Sequence, residues 1–241
     1  MVPREAVAAL LHELYVGEPA ARLRADDERK VDEVTALLGE LGRVLPRARP
    51  ATVLDLGAGR SLVGFAAVLL LAPDRAVSYL GVERDAARAA RAEALARARG
   101  LAGVTIVAGD AADAALPARP DVVLALHACG DATDDAIARA IALEARHALI
   151  VPCCRRRRDR ASFERLGIPA HAGLRAPLDE LLTDTERVLE LEAAGYEVTV
   201  LPLVPASTTP QNRLFRARRI AEPRRATGAA RGLARLRASF A

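Results

Sequence analysis

Apolar and polar positions follow two different periods along this chain. Val31, Val34, Leu37, Leu38 and Leu41 recur every three or four residues, which gathers them on one face of a helix. On that ground residues 3–16 and 25–45 are predicted helical, with Pro46 and Pro50 closing the region. Downstream, short apolar runs at 51–56, 78–83, 103–108, 121–127 and 147–152 read as buried strands. Longer runs between them, at 61–72, 85–99 and 132–145, read as helices. Pro73-Asp74 and Gly100 close two of these helices, and Pro117 to Pro120 lead into a strand. Such alternation predicts an α/β fold, a parallel sheet with helices on both faces. After 152 the period fades. Residues 153–182 read as irregular and 183–194 as a helix. Residues 196–204 and 212–220 read as two strands joined by 205–211.

Composition adds three constraints. Hydrophobic residues make up 51% of the 241 positions, enough for one sizeable core, yet aromatics are 3% and Trp is absent. The core must therefore be built from Ala, Leu and Val. A single Lys (Lys30) stands against 34 Arg, read first as the codon bias of a GC-rich genome. Charge divides unevenly. Residues 213–241 carry nine Arg and one acid, a sum of +8 against +4 for the chain, so the remainder sums to −4. A basic tail on an acidic body points to a polyanion, and the plainer alternative is a solvated, partly disordered tail. The expected division is an N-terminal helical segment (1–48), a central domain (49–221) and a basic C-terminal tail (222–241). Cys129, Cys153 and Cys154 form no disulfide framework, and the chain opens without a signal-peptide pattern. The longest apolar run, 63–72, is far short of a membrane span. The expectation is a cytoplasmic protein with no membrane partner.

The candidate chemistry starts at Val53-Leu54-Asp55-Leu56-Gly57-Ala58-Gly59-Arg60-Ser61. It reads as a strand ending in an acid, then a small-residue turn, then a helix. The glycines let backbone approach a ligand that a Cβ would block. Asp55 falls at the carboxyl end of its strand, where open α/β sheets hold ligands. Glu83-Arg84 ends the second strand and Asp110-Ala111 follows the third. In a sheet ordered 3-2-1-4-5 these acids line one crevice. Glu83 would accept from ribose hydroxyls and Asp110 would sit near an adenine amine, with the N–H groups of the 57–61 turn facing the ligand. A carboxylate at Asp55 repels a pyrophosphate and welcomes the cationic amino-acid end of S-adenosyl-L-methionine, which is the expected cofactor. The candidate cofactor residues are Asp55, Gly57, Ala58, Gly59, Ser61, Glu83, Arg84, Asp110, Ala111 and His127. The rival, a nicotinamide dinucleotide, needs a third glycine where Leu62 stands and has no use for Asp55 or Asp110. The structural alternative makes Asp55 and Asp110 turn or helix-cap residues.

The fourth strand ends in Leu126-His127-Ala128-Cys129-Gly130-Asp131, followed by Thr133-Asp134, and the fifth ends in Val151-Pro152-Cys153-Cys154. With the Asp55–Gly59 loop and a late Gln211-Asn212-Arg213-Leu214, these motifs resemble the methyltransferase domain of eukaryotic tRNA acceptor-stem 2′-O-methyltransferases and related methyltransferase-like proteins. The resemblance runs from about Lys30 to about Arg219. It implies the seven-stranded class I methyltransferase sheet, ordered 3-2-1-4-5-7-6, dependence on S-adenosyl-L-methionine, and less directly an RNA substrate. Two departures stand out. The Cys/His zinc modules that accompany the tRNA enzymes are absent, and Ser61 replaces the third turn glycine, where it could cap the helix.

The candidate catalytic residues are His127, Cys129 and Cys154. His127 is either a base toward a ribose hydroxyl or a crevice-shaping side chain. The cysteines are, in order, apolar fillers, pocket-lining groups, a covalent catalyst or a metal site; adjacent Cys153-Cys154 is a poor chelate, so no metal is expected. Thr133, Asp134 and Asp135 read as the first turn of the next helix. Arg155, Arg156, Arg157 and Arg158 follow the fifth strand at the rim where a substrate enters and are the candidate phosphate contacts, the alternative being a solvated loop. Phe163, Phe215 and Phe240 are the only nearby aromatics for base stacking. The expected function is methyl transfer to tRNA or rRNA. The alternatives are a small-molecule or protein acceptor, or a silent binding module.

Overall fold

The computed structural model describes residues 2–17, 22–71, 76–112, 116–128, 131–152, 163–164, 167–169, 171–209 and 212–240. Helix α1 (Arg4–Leu11) runs on into a π-helical turn at His12–Val16 and is followed by α2 (Ala25–Val44). Then come β1 (Ala51–Leu56), α3 (Leu62–Leu70), β2 (Val77–Glu83), α4 (Ala86–Ala98), β3 (Val104–Ala108), β4 (Val122–Leu126), α5 (Ala132–Ala142) and β5 (His147–Val151). A long helix α6 (Ala172–Ala193), β6 (Tyr196–Pro202), β7 (Arg213–Arg219) and α7 (Pro223–Ala238) complete the chain.

The seven strands form one sheet ordered β3-β2-β1-β4-β5-β7-β6, the class I methyltransferase arrangement. β1 to β5 run parallel, and β7 enters antiparallel between β5 and β6. The order in which strands are added reverses at β1: β2 and β3 lie to one side of it, β4 and β5 to the other. The loops after β1 and β4 part there, and a crevice opens.

Strand alternation sorts the core into two layers. Val53, Tyr79, Ile106, Leu124 and Leu149 face α1 to α4, while Leu54, Val82, Val123, Ile150 and Phe215 face α5 and α6. All five residues of β4 are buried, as a central parallel strand requires. With few aromatics, close approach comes from small side chains. α4 lays Ala89, Ala92 and Ala96 on the sheet and turns its arginines outward.

Two expectations change. Residues 172–182 are helical, where the sequence reading made 153–182 irregular. Pro177 falls in the second turn, where its missing N–H forfeits one bond, to the Gly173 carbonyl; separately, Arg175 ties the helix start to the carbonyls of Ile168 and Pro169 before it, at 2.8 Å each. The buried face of α6 is Asp179, Thr183, Asp184, Arg187 and Leu191, so the apolar period that would reveal a helix is mostly written in polar residues. The tail is not a solvated strand of chain either. Pro223 opens α7, Ala229 is buried, and Gly232 lies against Leu189 of α6. Arg237 pairs with Glu190, and Arg225 with Glu192 at 3.4 Å. Among the described residues no helix is long and apolar enough to cross a membrane.

Candidate cofactor site

A pocket of about 460 Å³ lies at the carboxyl ends of β1, β2 and β4. It gathers Asp55, Gly57, Ala58, Gly59, Glu83, Arg84, Asp110, Ala111 and His127, so nine of the ten expected cofactor residues share one cavity. The tenth, Ser61, sits just behind it and is 1% exposed.

Gly57 and Gly59 have φ of +83° and +60°, the left-handed region glycine tolerates. A Cβ on Gly57 would meet the Ala128 Cβ at 3.4 Å, so the loops after β1 and β4 touch here. At Gly59 a Cβ would meet nothing within 4 Å: that glycine serves the turn and leaves its space to the pocket.

The loop's donors do not face the ligand, contrary to expectation. Gly57 and Ala58 N–H donate to the Val82 carbonyl at 2.9 and 3.0 Å, and Ser61 N–H donates to Ala58. Gly59 N–H donates to Glu83 Oε2 at 2.8 Å. Neighbouring strand β2 intercepts them because its end is level with the turn. A pyrophosphate needs such donors free, so this loop is no cradle for a dinucleotide.

Ser61 does not cap α3. It occupies the N-cap position with φ 59°, and its side chain accepts nothing from the helix. Side-chain capping needs the extended backbone that this left-handed geometry abandons.

Each acid has its own setting. Asp55 is 3% exposed and accepts from the Tyr79 hydroxyl at 2.6 Å. Burial pushes its carboxyl up to about 6. The Tyr79 hydrogen bond and the Lys30 charge pull against this, while Glu83 adds to it. Glu83 accepts from Gly59 N–H, from Asp85 N–H at 3.0 Å and from Arg88 at 3.3 Å. Of roughly four lone-pair sites on a carboxylate, about one stays open toward the pocket. Asp110 accepts from Ala112 N–H at 3.0 Å, so it is a turn residue as well as a pocket wall.

His127 also has a left-handed backbone, with φ 57°. Its N–H donates to the Val151 carbonyl at 3.0 Å, tying the end of β4 to β5. Nε2 lies 2.8 Å from Glu33 Oε1, and Nδ1 is buried. Burial raises the Glu33 carboxyl, but the hydrogen bond and charge of His127, with Lys30, hold it below its usual range. Thr133 donates to the Ala128 carbonyl at 2.6 Å and Asp134 pairs with buried Arg187 at 2.9 Å, so the Thr-Asp pair builds the first turn of α5. Phe163 and Phe215 are buried and cannot stack on bases. Cys129, Cys153, Cys154, Arg155, Arg156, Arg157 and Arg158 lie outside the described residues. Among the described residues no group of three His, Cys, Asp or Glu is placed to hold a metal ion.

Sequence reasoning missed the fourth wall of the pocket. Leu11, Tyr15, Asp27 and Lys30 line it from the N-terminal helices. The Tyr15 hydroxyl donates to the Arg60 carbonyl, and the Arg60 guanidinium lies 5.4 Å from the Tyr15 ring centre. One signal was available: Glu33 and Glu40 fall on the apolar stripe of α2, where charge needs a reason.

The pocket suits S-adenosylmethionine. It offers carboxylates to an adenosine and a cationic sulfonium, and no anion cradle. The fold and site together define the class I methyltransferase type. The sequence model of a methyltransferase domain family matches residues 29–159. The chain belongs to that family; it is a methyltransferase and its cofactor is S-adenosylmethionine. Solved structures agree on the fold. The cyclase SpnF is 17% identical, with 90% of this chain and 94% of that one covered and a TM-score of 0.55. A SAM-dependent methyltransferase from Aquifex aeolicus is 15% identical, with 83% and 100% covered and a TM-score of 0.51. A geranyl diphosphate methyltransferase, solved in complex with GPP and sinefungin, is 16% identical, with 77% and 78% covered and a TM-score of 0.55. No curated protein matches the chain.

Proposed function

We propose that this enzyme methylates structured RNA, tRNA or rRNA, with the acceptor entering at the carboxyl ends of β4 and β5. One observation carries the reading. β4 leads into the pocket residue His127, its neighbour β5 ends at Val151, and four consecutive arginines, Arg155 to Arg158, follow in sequence. Arginine forks hold phosphates by paired, charge-assisted hydrogen bonds.

When bound, S-adenosylmethionine supplies an electrophilic methyl on a sulfonium. The chain supplies position and proton handling. The open lone pair of Glu83 receives a ribose hydroxyl, and Asp110 with Ala111 flanks the adenine. Asp55 contributes negative potential beside Gly57, Ala58 and Gly59, and Ser61 holds that turn from behind. Arg84 stands at the ribose rim. The His127–Glu33 pair takes the acceptor proton: Nε2 passes the proton it carries toward Glu33 Oε1, 2.8 Å away, to that carboxylate and then accepts the proton of the acceptor hydroxyl. Cys129 and Cys154 follow β4 and β5 in sequence, and their proposed part is to contact the acceptor or to form a transient bond to a pyrimidine.

The second reading is a small-molecule or protein acceptor. It is favoured by the fate of the other arginines. Arg213, Arg216, Arg218, Arg219, Arg225 and Arg237 all pair with acids of the chain, which leaves little free charge for a polyanion there.

The test is transfer of labelled methyl groups into fractionated extract from cells lacking the protein. The RNA reading expects label in RNA, lost with Glu83→Ala, and RNA affinity that falls with salt. Label confined to protein or metabolite fractions overturns it.

A further inference from the structure

In a chain that uses arginine for 34 of its 35 strong bases, the one lysine stands on the wall of the cofactor pocket. Lys30 lies in the second turn of α2, and its Nζ is 3.7 Å from Glu33 Oε2, whose other oxygen holds His127. Arginine is the default cation of this sequence, so a lysine here calls for a local reason.

The pocket has two ends. Glu83 and Asp110, beyond β2 and β3, form the end suited to a nucleoside. The opposite end lies between Gly57, His127 and α2, and would receive the amino-acid half of the cofactor. That half is a zwitterion, and its carboxylate would face Asp27 and Asp55 on the pocket wall, with Glu33 close behind. Such a carboxylate needs a cation. The described cations lining the pocket are Lys30, Arg60, Arg84 and Arg88, apart from what His127 carries. Arg88 is committed to Glu83 and Asp85, at the nucleoside end. Arg84 follows Glu83 directly. Arg60 stacks over Tyr15. Lys30 alone acts electrostatically on both Glu33 and Asp55, the acids of the opposite end.

We infer that Lys30 is the anchor for the cofactor's amino-acid carboxylate, held ready by Glu33, so that the N-terminal helix α2 is part of the cofactor site. This rests on the pocket being the S-adenosylmethionine site. The choice of lysine follows from geometry. A guanidinium beside Glu33 would form a two-pronged pair and be consumed by it. An ammonium has three donors on a point charge, so it can lean on Glu33 and still donate to a second carboxylate.

The experiment compares two ligands by isothermal titration. S-adenosylhomocysteine carries the carboxylate; 5′-methylthioadenosine keeps the nucleoside and sulfur and lacks it. Lys30→Gln should weaken S-adenosylhomocysteine about tenfold to a hundredfold, the loss of one charge-assisted hydrogen bond. It should leave 5′-methylthioadenosine within about twofold, which also shows that the variant is folded. Lys30→Arg should fall between wild type and Lys30→Gln. Equal loss for both ligands, or none for either, overturns the inference while the cofactor reading stands. So does a loss selective for S-adenosylhomocysteine in Arg60→Gln and not in Lys30→Gln. Wild-type protein that binds neither ligand overturns both.

Discussion

Asp55→Asn should make this protein more stable above pH 6 and worse at holding its cofactor. The unfolded chain titrates this carboxyl near 3.8, and the folded protein near 6. Between those values the folded state holds the extra proton, so stability falls as pH rises. The contribution is complete below about pH 4 and gone above the folded value. Two units at about 1.4 kcal/mol each give roughly 3 kcal/mol lost across that window. Asparagine does not titrate and should abolish the slope. Its oxygen can still accept from Tyr79, but its new N–H₂ is buried and costs about 1–3 kcal/mol where it finds no acceptor. The absolute gain at pH 8 is therefore smaller than the titration alone suggests. The pH dependence is the cleaner quantity, because that packing cost is the same at every pH.

Thermal unfolding of wild type and variant at pH 4.5 and 7.5 reads it directly. At this chain length 1 kcal/mol moves Tm by about 2–4 °C. About two-thirds of the effect, roughly 2 kcal/mol, falls between these two pH values, so the variant's Tm relative to wild type should rise by roughly 4–8 °C from the lower pH to the higher. A difference that stays constant with pH would refute the reasoning, since it would mean Asp55 titrates alike in both states. S-adenosylhomocysteine affinity should fall in the same variant, because the wild type retains this buried charge for a ligand that carries the opposite one.

Gly64→Ala should destabilise severely, by several kcal/mol, since its Cβ would lie 2.3 Å from the Tyr79 ring; an unchanged Tm would show that the ring has room to move. Arg187→Met should cost about 3–5 kcal/mol in urea unfolding, because Asp134 and Asp184 lose a guanidinium that is 2% exposed. A loss under 1 kcal/mol would mean that water replaces it. Ser61→Gly should raise Tm by about 2–4 °C, as glycine relieves a left-handed backbone worth about 1–2 kcal/mol and gives back part of that in chain entropy. A fall in Tm would assign the Ser61 hydroxyl a hydrogen bond that outweighs the strain.

The sheet was legible because central parallel strands are continuous apolar runs with punctuation at both ends. Predicted strand 51–56 is Ala51–Leu56, and predicted helix 85–99 is Ala86–Ala98. The acids of the crevice were legible for a related reason: a turn or cap role explains each carboxylate singly, but not one at the end of each of three successive strands. What stayed hidden was written in polar residues. α6 buries Asp179, Thr183 and Arg187 where leucines would have announced it. α7 is Arg-rich, and it is held by Glu190 and Glu192 on a helix the sequence only half revealed. The direction of the loop donors was illegible in principle, because the Val82 carbonyl that takes those of Gly57 and Ala58 is 25 and 24 residues away along the chain.

That hidden detail decides how the pocket selects its ligand. A glycine turn entering a helix is shared by dinucleotide and sulfonium-nucleoside sites, so its sequence cannot separate them. The separation is made by where the donors point. Here β2 takes the N–H groups of Gly57, Ala58 and Gly59, and the turn presents carboxylates in their place. A pyrophosphate entering this pocket would lose its water and meet Asp55 and Glu83, with the N–H groups of Gly57, Ala58 and Gly59 already engaged. An adenosine with a positive sulfur meets complementary charge on the same atoms. Two of the strained backbone positions, Ser61 and His127, flank this point. That strain accompanies the sharp turns after β1 and β4 that bring the two loops together beside the pocket.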